Sequence, residues 1–194
     1  MKFRIKILVI FAIILASCNN NSLLVSGLEG VSENIQEKYA PDKRVAIFEV
    51  LIDYKADTIV VSGETNLPKA HQKLIDSLQS LDVYFKDNIR ILPDTTIGTK
   101  KYAIARNSVI NIRSKPSHSA ELGTQALLGM PLLVLDKKGD FYRIQTPDHY
   151  ISWVDKGGIQ LMNDTEFKDW NIAEKIVFIR NFGYVYADEN FKNI

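Results

Sequence analysis

The side chains able to do nucleophilic or metal chemistry are few. The chain holds one cysteine, Cys18, and three histidines, His71, His118 and His149. A lone cysteine excludes an internal disulfide, a Cys-x-x-Cys redox pair and a multi-cysteine zinc cluster together. A cysteine hydrolase needs a thiolate beside an activating histidine. No histidine lies near Cys18 in the chain, and His71 falls on the outward side of a helical pattern with no second ligand near it. The sequence therefore predicts no catalytic residues, no metal site and no cofactor, and the chain as it stands is not expected to be an enzyme.

The position of Cys18 gives it a different use. Lys2, Arg4 and Lys6 form a basic start, and Ile7 to Leu15 is an unbroken apolar run of nine residues. That run is short of the roughly 20 residues a bilayer span needs and suits the apolar core of a signal peptide over residues 1–17. Leu15-Ala16-Ser17-Cys18 resembles the bacterial lipobox. The resemblance implies that Cys18 becomes an acylated N-terminus and holds the protein to a membrane of the cell envelope, facing the periplasm. Removing Lys2, Arg4 and Lys6 from the 24 basic residues leaves 21 against 23 acidic ones, a balance of −2. A near-neutral body is a poor nucleic-acid binder, which needs a basic surface to displace counterions.

The 194 residues are 46% hydrophobic and 24% charged, enough to build a core. Residues 18–39 read as a lipidated tether and linker, with a short helix over Ser32 to Lys38. From residue 40 to 97 the pattern is β-β-α-β. Arg44 to Tyr54 alternates with apolar residues on both faces, a strand covered on two sides. Thr58 to Ser62 is a second strand, ended by Gly63. Asn66 and Pro68 open a helix carrying Ala70, Leu74, Ile75, Leu78 and Leu81, and Val83 to Leu92 is a third strand. The run Ile59-Val60-Val61-Ser62-Gly63-Glu64, with the helix and strand that follow, resembles the BON-type domain of envelope proteins, which implies an interaction module.

Residues 101–162 carry five short β runs with tight turns between them, the pattern of a small barrel. Asn111-Ile112-Arg113-Ser114-Lys115-Pro116-Ser117 resembles the Asn-Val-Arg-Ser-x-Pro-Ser signature of bacterial SH3 (SH3b) domains. Phe141-Tyr142-Arg143-Ile144 and Tyr150-Ile151-Ser152-Trp153-Val154 stand at two further signature positions. The fold class expected is thus α+β then all-β. A ββαβ module precedes an SH3b barrel, and residues 163–194 supply a linker helix and the start of a second SH3-like module. In that last stretch Lys175 to Ile179 and Gly183 to Tyr186 read as strands.

The segments Arg113 to Leu122, Thr124 to Gly129 and Gln145 to Asp148 are also similar to the N-terminal, non-catalytic half of NlpC-like cell-wall cysteine peptidases of Bacteroides type. Those enzymes are similar to γ-D-glutamyl-L-diamino acid endopeptidases, in which the SH3b domain shapes the pocket for a free N-terminal L-Ala. The resemblance implies a stem-peptide site with Glu121 receiving the ammonium and Tyr150 and Trp153 as an aromatic wall. Its other implication is a catalytic domain that this chain lacks. The expected function is the anchored, substrate-shaping part of a peptidoglycan endopeptidase, with peptidoglycan stem peptides or a catalytic domain as partner. The alternative is a stand-alone envelope lipoprotein whose SH3b module binds peptidoglycan or a protein.

Overall fold

The structure, a computed structural model, describes residues 22–180, 183 and 184. Cys18 and the leader lie outside the described residues. Helix α1 covers residues 22–39, so the short helix expected over Ser32 to Lys38 extends back through the stretch read as a linker. Gly27, Gly30 and four serines and asparagines lower its intrinsic helix propensity. What overrides this is packing: Val25, Leu28, Ser32, Ile35 and Tyr39 recur at alternating spacings of three and four and turn one stripe into a shared core.

That core is completed by strand β1 (Phe48–Lys55), strand β2 (Thr58–Thr65), helix α2 (Pro68–Ser80) and strand β3 (Phe85–Ile91). The sheet order is β1-β2-β3, with β1 antiparallel and β3 parallel to β2. A two-residue turn at Ala56 and Asp57, both at positive φ, joins β1 to β2. Phe48, Ile52, Ile59 and Val61 are buried beneath the helices with Ala70, Leu74 and Leu78 of α2. The opposite face is open, and Leu51 on it is 71% exposed. The apolar content of β1 on both parities therefore does not mean cover on both faces. Gly63 does not end β2 but lies inside it, at φ 128, because a Cβ there would sit 1.9 Å from the Glu49 carbonyl oxygen. Asn66 does not cap α2: the Ile47 N–H donates to its Oδ1 at 2.7 Å, and the Leu67 N–H is taken by Thr65 Oγ1. His71 is half-buried, with Nε2 2.8 Å from Asp87 Oδ2 on β3.

The second sheet has seven strands: β4 (Tyr102–Ala105), β5 (Val109–Arg113), β6 (Leu122–Leu127), β7 (Pro131–Lys138), β8 (Phe141–Gln145), β9 (Ile151–Asp155) and β10 (Ile159–Met162). Their order is β10-β4-β7-β8-β9-β5-β6. Ile110, Ile112, Ala126, Leu132, Val134, Ile144 and Val154 fill the interior. The expected five strands are present within a residue or a few of their predicted ends. The sequence pattern missed β4 and β10, which are only four residues each. Helix α3 (Asp164–Ile172) starts on a capping box between Asn163 and Glu166 and lays Phe167 on the Tyr102 ring, centroids 4.3 Å apart. Residues 175–179 form no strand, with Ile176 93% exposed, since no neighbouring strand offers them a ladder among the described residues. The second proposed strand, Gly183 to Tyr186, lies largely outside the described residues.

The two sheets are joined by a buried seam. Ile47 and Leu92 meet Leu135 and Ile151, and the Asp94 and Ile151 N–H groups donate across it to the Leu135 and Arg44 carbonyls, each at 2.7 Å. A bulge in β7 between Val134 and Asp136 turns Leu135 into the seam and brings Asp136 beside Arg143. Arg90 of β3 donates to both oxygens of Asp136, at 3.0 and 2.8 Å, and to Asp94 at 2.8 Å. Glu64 accepts from both Arg90 and Arg143.

Two outcomes follow from this packing. Leu28→Ala should destabilise the chain by about 2–5 kcal/mol in urea unfolding, since a buried leucine is truncated; a loss under about 0.5 kcal/mol, the range of a solvated site, would mean that α1 is only a tether. Hydrogen bonds from Thr96, then from Arg90, hold the Asp94 carboxyl at about 2, below its ordinary 3.8. A lowered folded pKa gives stability that is complete above pH 3.8 and is lost as pH falls towards 2. Asp94→Asn should flatten the acid-side fall of urea stability in that window, and an unchanged slope would refute the assignment.

Candidate ligand groove on the second sheet

Strand β5 alternates, so Ile110 and Ile112 enter the barrel core while Val109, Asn111 and Arg113 face outward. The pairing Ile112↔Val154 sets Asp155 of β9 beside the outward row of β5. The loop 114–121 brings His118 back over this row. Together Asn107, Asn111, Arg113, His118, Phe141 and Asp155 surround an open groove of about 380 Å³, floored by Gly157 and Gly158.

Each wall is held by identifiable contacts. The Gly157 N–H donates to Asp155 Oδ1 at 2.7 Å, capping the short 3-10 turn Lys156–Gly158. That leaves Oδ2 directed at His118 Nε2, 3.5 Å away. The His118 ring tilts against Phe141 with centroids 5.0 Å apart. Arg113 Nη1 donates to the Ala120 carbonyl at 2.7 Å and braces the loop. Asn111 Oδ1 accepts from Gln125 at 2.9 Å, which fixes its amide orientation. Asp140, near the rim, has a carboxyl pushed below its usual value chiefly by the hydrogen bond from Lys156. The groove thus offers a carboxylate, an imidazole and an aromatic ring close together, with Phe141 paired to Asp155 and tilted against His118, and a guanidinium further along β5, a set of groups that can meet both charges of a short zwitterionic ligand.

The three residues expected to form the site sit elsewhere. Glu121 is exposed at the end of the loop, its carbonyl accepting from the Ser114 N–H at 3.0 Å. Tyr150 is half-buried against the barrel core with its hydroxyl at Gly123, where an added Cβ would lie 2.5 Å from the oxygen. Trp153 is half-buried but does not enter the barrel core: it shares the outward face of β9 with Ile151 and lies under the Arg143 guanidinium at 5.8 Å. Arg113 pairs with both Leu122 and Trp153, so the three residues gather around the Arg113 end of β5, and none of them lines the groove. The groove residues were legible in part, as Asn111 and Arg113 are the outward positions of the Asn-x-Arg motif. Asp155 carried no signal because its place depends on strand register, and Phe141 was read only as part of the Phe141-Tyr142-Arg143-Ile144 signature, not as a groove residue. Among the described residues no three His, Cys, Asp or Glu side chains cluster as a metal site, and no helix is long and apolar enough to cross a membrane.

Residues 112–159 match the family described as the bacterial dipeptidyl-peptidase SH3 domain. The chain therefore contains a bacterial SH3 domain of a peptidase-associated kind, running from β5 to the first residue of β10, within a mixed α/β structure of mostly strands in two sheets. No curated protein matches the chain.

The Gly123–Tyr150 contact gives a direct check of this geometry. Gly123→Ala should destabilise by about 1–3 kcal/mol, as overpacking does, and most of that cost should vanish in a Tyr150→Phe background, which removes the oxygen in the way. Equal costs in both backgrounds would contradict the contact.

Proposed function

We propose that this chain is an exported lipoprotein of the bacterial envelope, held by an acyl group on Cys18, and that its SH3 domain presents peptidoglycan stem peptides to a cell-wall peptidase domain. The observation that carries this reading is the peptidase-associated SH3 domain at residues 112–159 with a groove lined by charges of both signs, Asp155 and Arg113. The free ammonium of a stem peptide is received by Asp155 or by Glu121, and a peptide carboxylate by Arg113. The first module, with its three-stranded sheet under two helices, is read as a BON-like interaction unit that carries the SH3 domain. The exposed apolar side chains Leu122, Leu127 and Leu128, on and beside edge strand β6, support a second reading, in which the SH3 domain docks a protein partner instead.

Charged contacts in an open groove are worth less than about 1 kcal/mol each, so binding to the isolated chain is expected in the millimolar range, near 4 kcal/mol in all. Isotope-labelled protein titrated with L-Ala-γ-D-Glu-diamino acid peptide should show amide shifts at Asn111, His118 and Asp155. Asp155→Asn should weaken that binding about fivefold, the equivalent of about 1 kcal/mol, and an N-acetylated peptide should respond like the variant. Shifts confined to Glu121, Tyr150 and Trp153 would move the site to the base of the loop. Identical responses to free and acetylated peptides would end the ammonium assignment, and no response to either would end the stem-peptide reading. Mass spectrometry of the mature N-terminus is the separate check on Cys18, where any start other than an acylated Cys18 refutes the anchor.

A further inference from the structure

The direction of α1 fixes which end of the molecule the anchor reaches. Gln36, near the C-terminal end of α1, shares a cavity with Phe48, Glu49, Gly63 and Glu64, at the end of the sheet where β1 begins and β2 ends. Val25 and Leu28 pack in the same core as the sheet, so the helix lies along it rather than leaving it. Eleven residues separate Gln36 from Val25, about 16 Å of helix, against about 26 Å for the eight-residue strands. The first turn of α1 therefore lies at the opposite end, near the Ala56-Asp57 turn and the start of β3. The seam to the SH3 domain uses Ile47 and Leu92, at the Phe48 and Ile91 end. The anchored end and the SH3 domain are at opposite ends of the first module.

The anchored end is also where apolar side chains are left uncovered. Leu23 is 68% exposed, Leu24 41%, Leu81 52% and Tyr84 83%. Leu81 ends α2 and Tyr84 precedes β3, so both belong to the same end of the sheet as Leu23 and Leu24. Ionic groups there are of both signs, with Lys55 and Lys86 against Asp57 and Asp82, so the surface is not built to hold an anionic partner. Cys18 is four residues before Ser22, a covalent reach of at most about 14 Å. An acyl chain on Cys18 would keep this tip within that distance of the lipid headgroups.

The geometry points to a membrane-docking tip: Leu23, Leu24, Leu81 and Tyr84 rest in the headgroup layer of the bilayer that holds the Cys18 lipid, and the first module stands the SH3 domain away from that surface. This rests on the lipidation of Cys18 proposed above. Apolar side chains of an amphipathic surface enter the interface to about 5–10 Å, and tyrosine suits that depth because its ring is apolar and its hydroxyl polar. The acyl group supplies the stable hold, and the tip sets the orientation.

The test uses the mature lipidated chain in vesicles of phosphatidylethanolamine and phosphatidylglycerol containing nitroxide-bearing lipid. An acylated Cys18 has no free thiol, so a single added cysteine takes the fluorophore. Leu24→Cys, Tyr84→Cys and Lys138→Cys place it at the tip and, for the last, on the SH3 domain. The expected result is flotation with the vesicles for all three, loss of most fluorescence at positions 24 and 84, and none at 138, unaltered by high salt. Flotation with position 84 quenched no more than 138 overturns the docking tip and leaves the lipid anchor standing. Failure to float, with an unacylated N-terminus by mass, overturns both.

Discussion

The relative placement of the two sheets depends on one arginine. Arg90 reaches from the end of β3 to Asp94 beyond it and to Asp136 on a strand of the other sheet. The two carboxylates are nearly buried, with side chains 8% exposed, and would be costly there without a cation. Glu64 extends the arrangement to Arg143 of β8, so two cations and three carboxylates alternate across the seam. Ion pairs of this kind contribute less net stability than specificity of placement, because desolvation offsets much of their attraction. The apolar part of the seam, Ile47, Leu92, Leu135 and Ile151, supplies the non-directional attraction. The arginines select one docking angle among those that such a small apolar patch would tolerate.

The same seam accounts for the position of Trp153. An SH3b tryptophan reads from sequence as core or as ligand wall, and it is neither a barrel-core residue nor a wall of the groove here. Arg143 pairs with it across β8 and β9, and the guanidinium that stacks on the indole is the one that reaches Glu64. Its ring therefore shields an inter-module ion pair from water, which strengthens that pair. The aromatic side of the groove falls instead to Phe141, one pleat further along β8 on the same outward face.

The strands of the barrel were legible because each run is bounded by turn residues and alternates at period two, and the Asn-x-Arg motif fixed which run is which. The short strands β4 and β10 were not, since Tyr102 to Ala105 and Ile159 to Met162 are too brief to show a period. Most of helix α1 was hidden for a different reason. Its glycines and serines look like linker composition, and the heptad-like spacing of Val25, Leu28, Ser32, Ile35 and Tyr39 acquires meaning only against a sheet. The groove was half legible: Asn111 and Arg113 come from a local motif, but Asp155 and His118 meet them through register and loop return, which no local pattern encodes. Glu121 was picked by resemblance as a loop carboxylate, and the fold leaves it exposed on that loop, beside the groove residues but not among them.

An acyl anchor at one cysteine restricts where a protein is and leaves its tilt free. Orientation needs a second contact with the surface, or a rigid path from anchor to working face. In this chain α1 begins four residues after Cys18 and is packed along its length into the first core. The first core is joined to the SH3 domain by backbone hydrogen bonds, apolar side chains and the Arg90 cluster. Flexible linkers let a binding module sample a volume set by their length. A rigid path presents a groove at one height and angle, which lowers the rotational freedom lost when an immobile polymer such as a cell wall is bound. On the proposed anchoring, the packed path from α1 to β9 contributes to binding alongside the groove side chains Asp155 and Arg113.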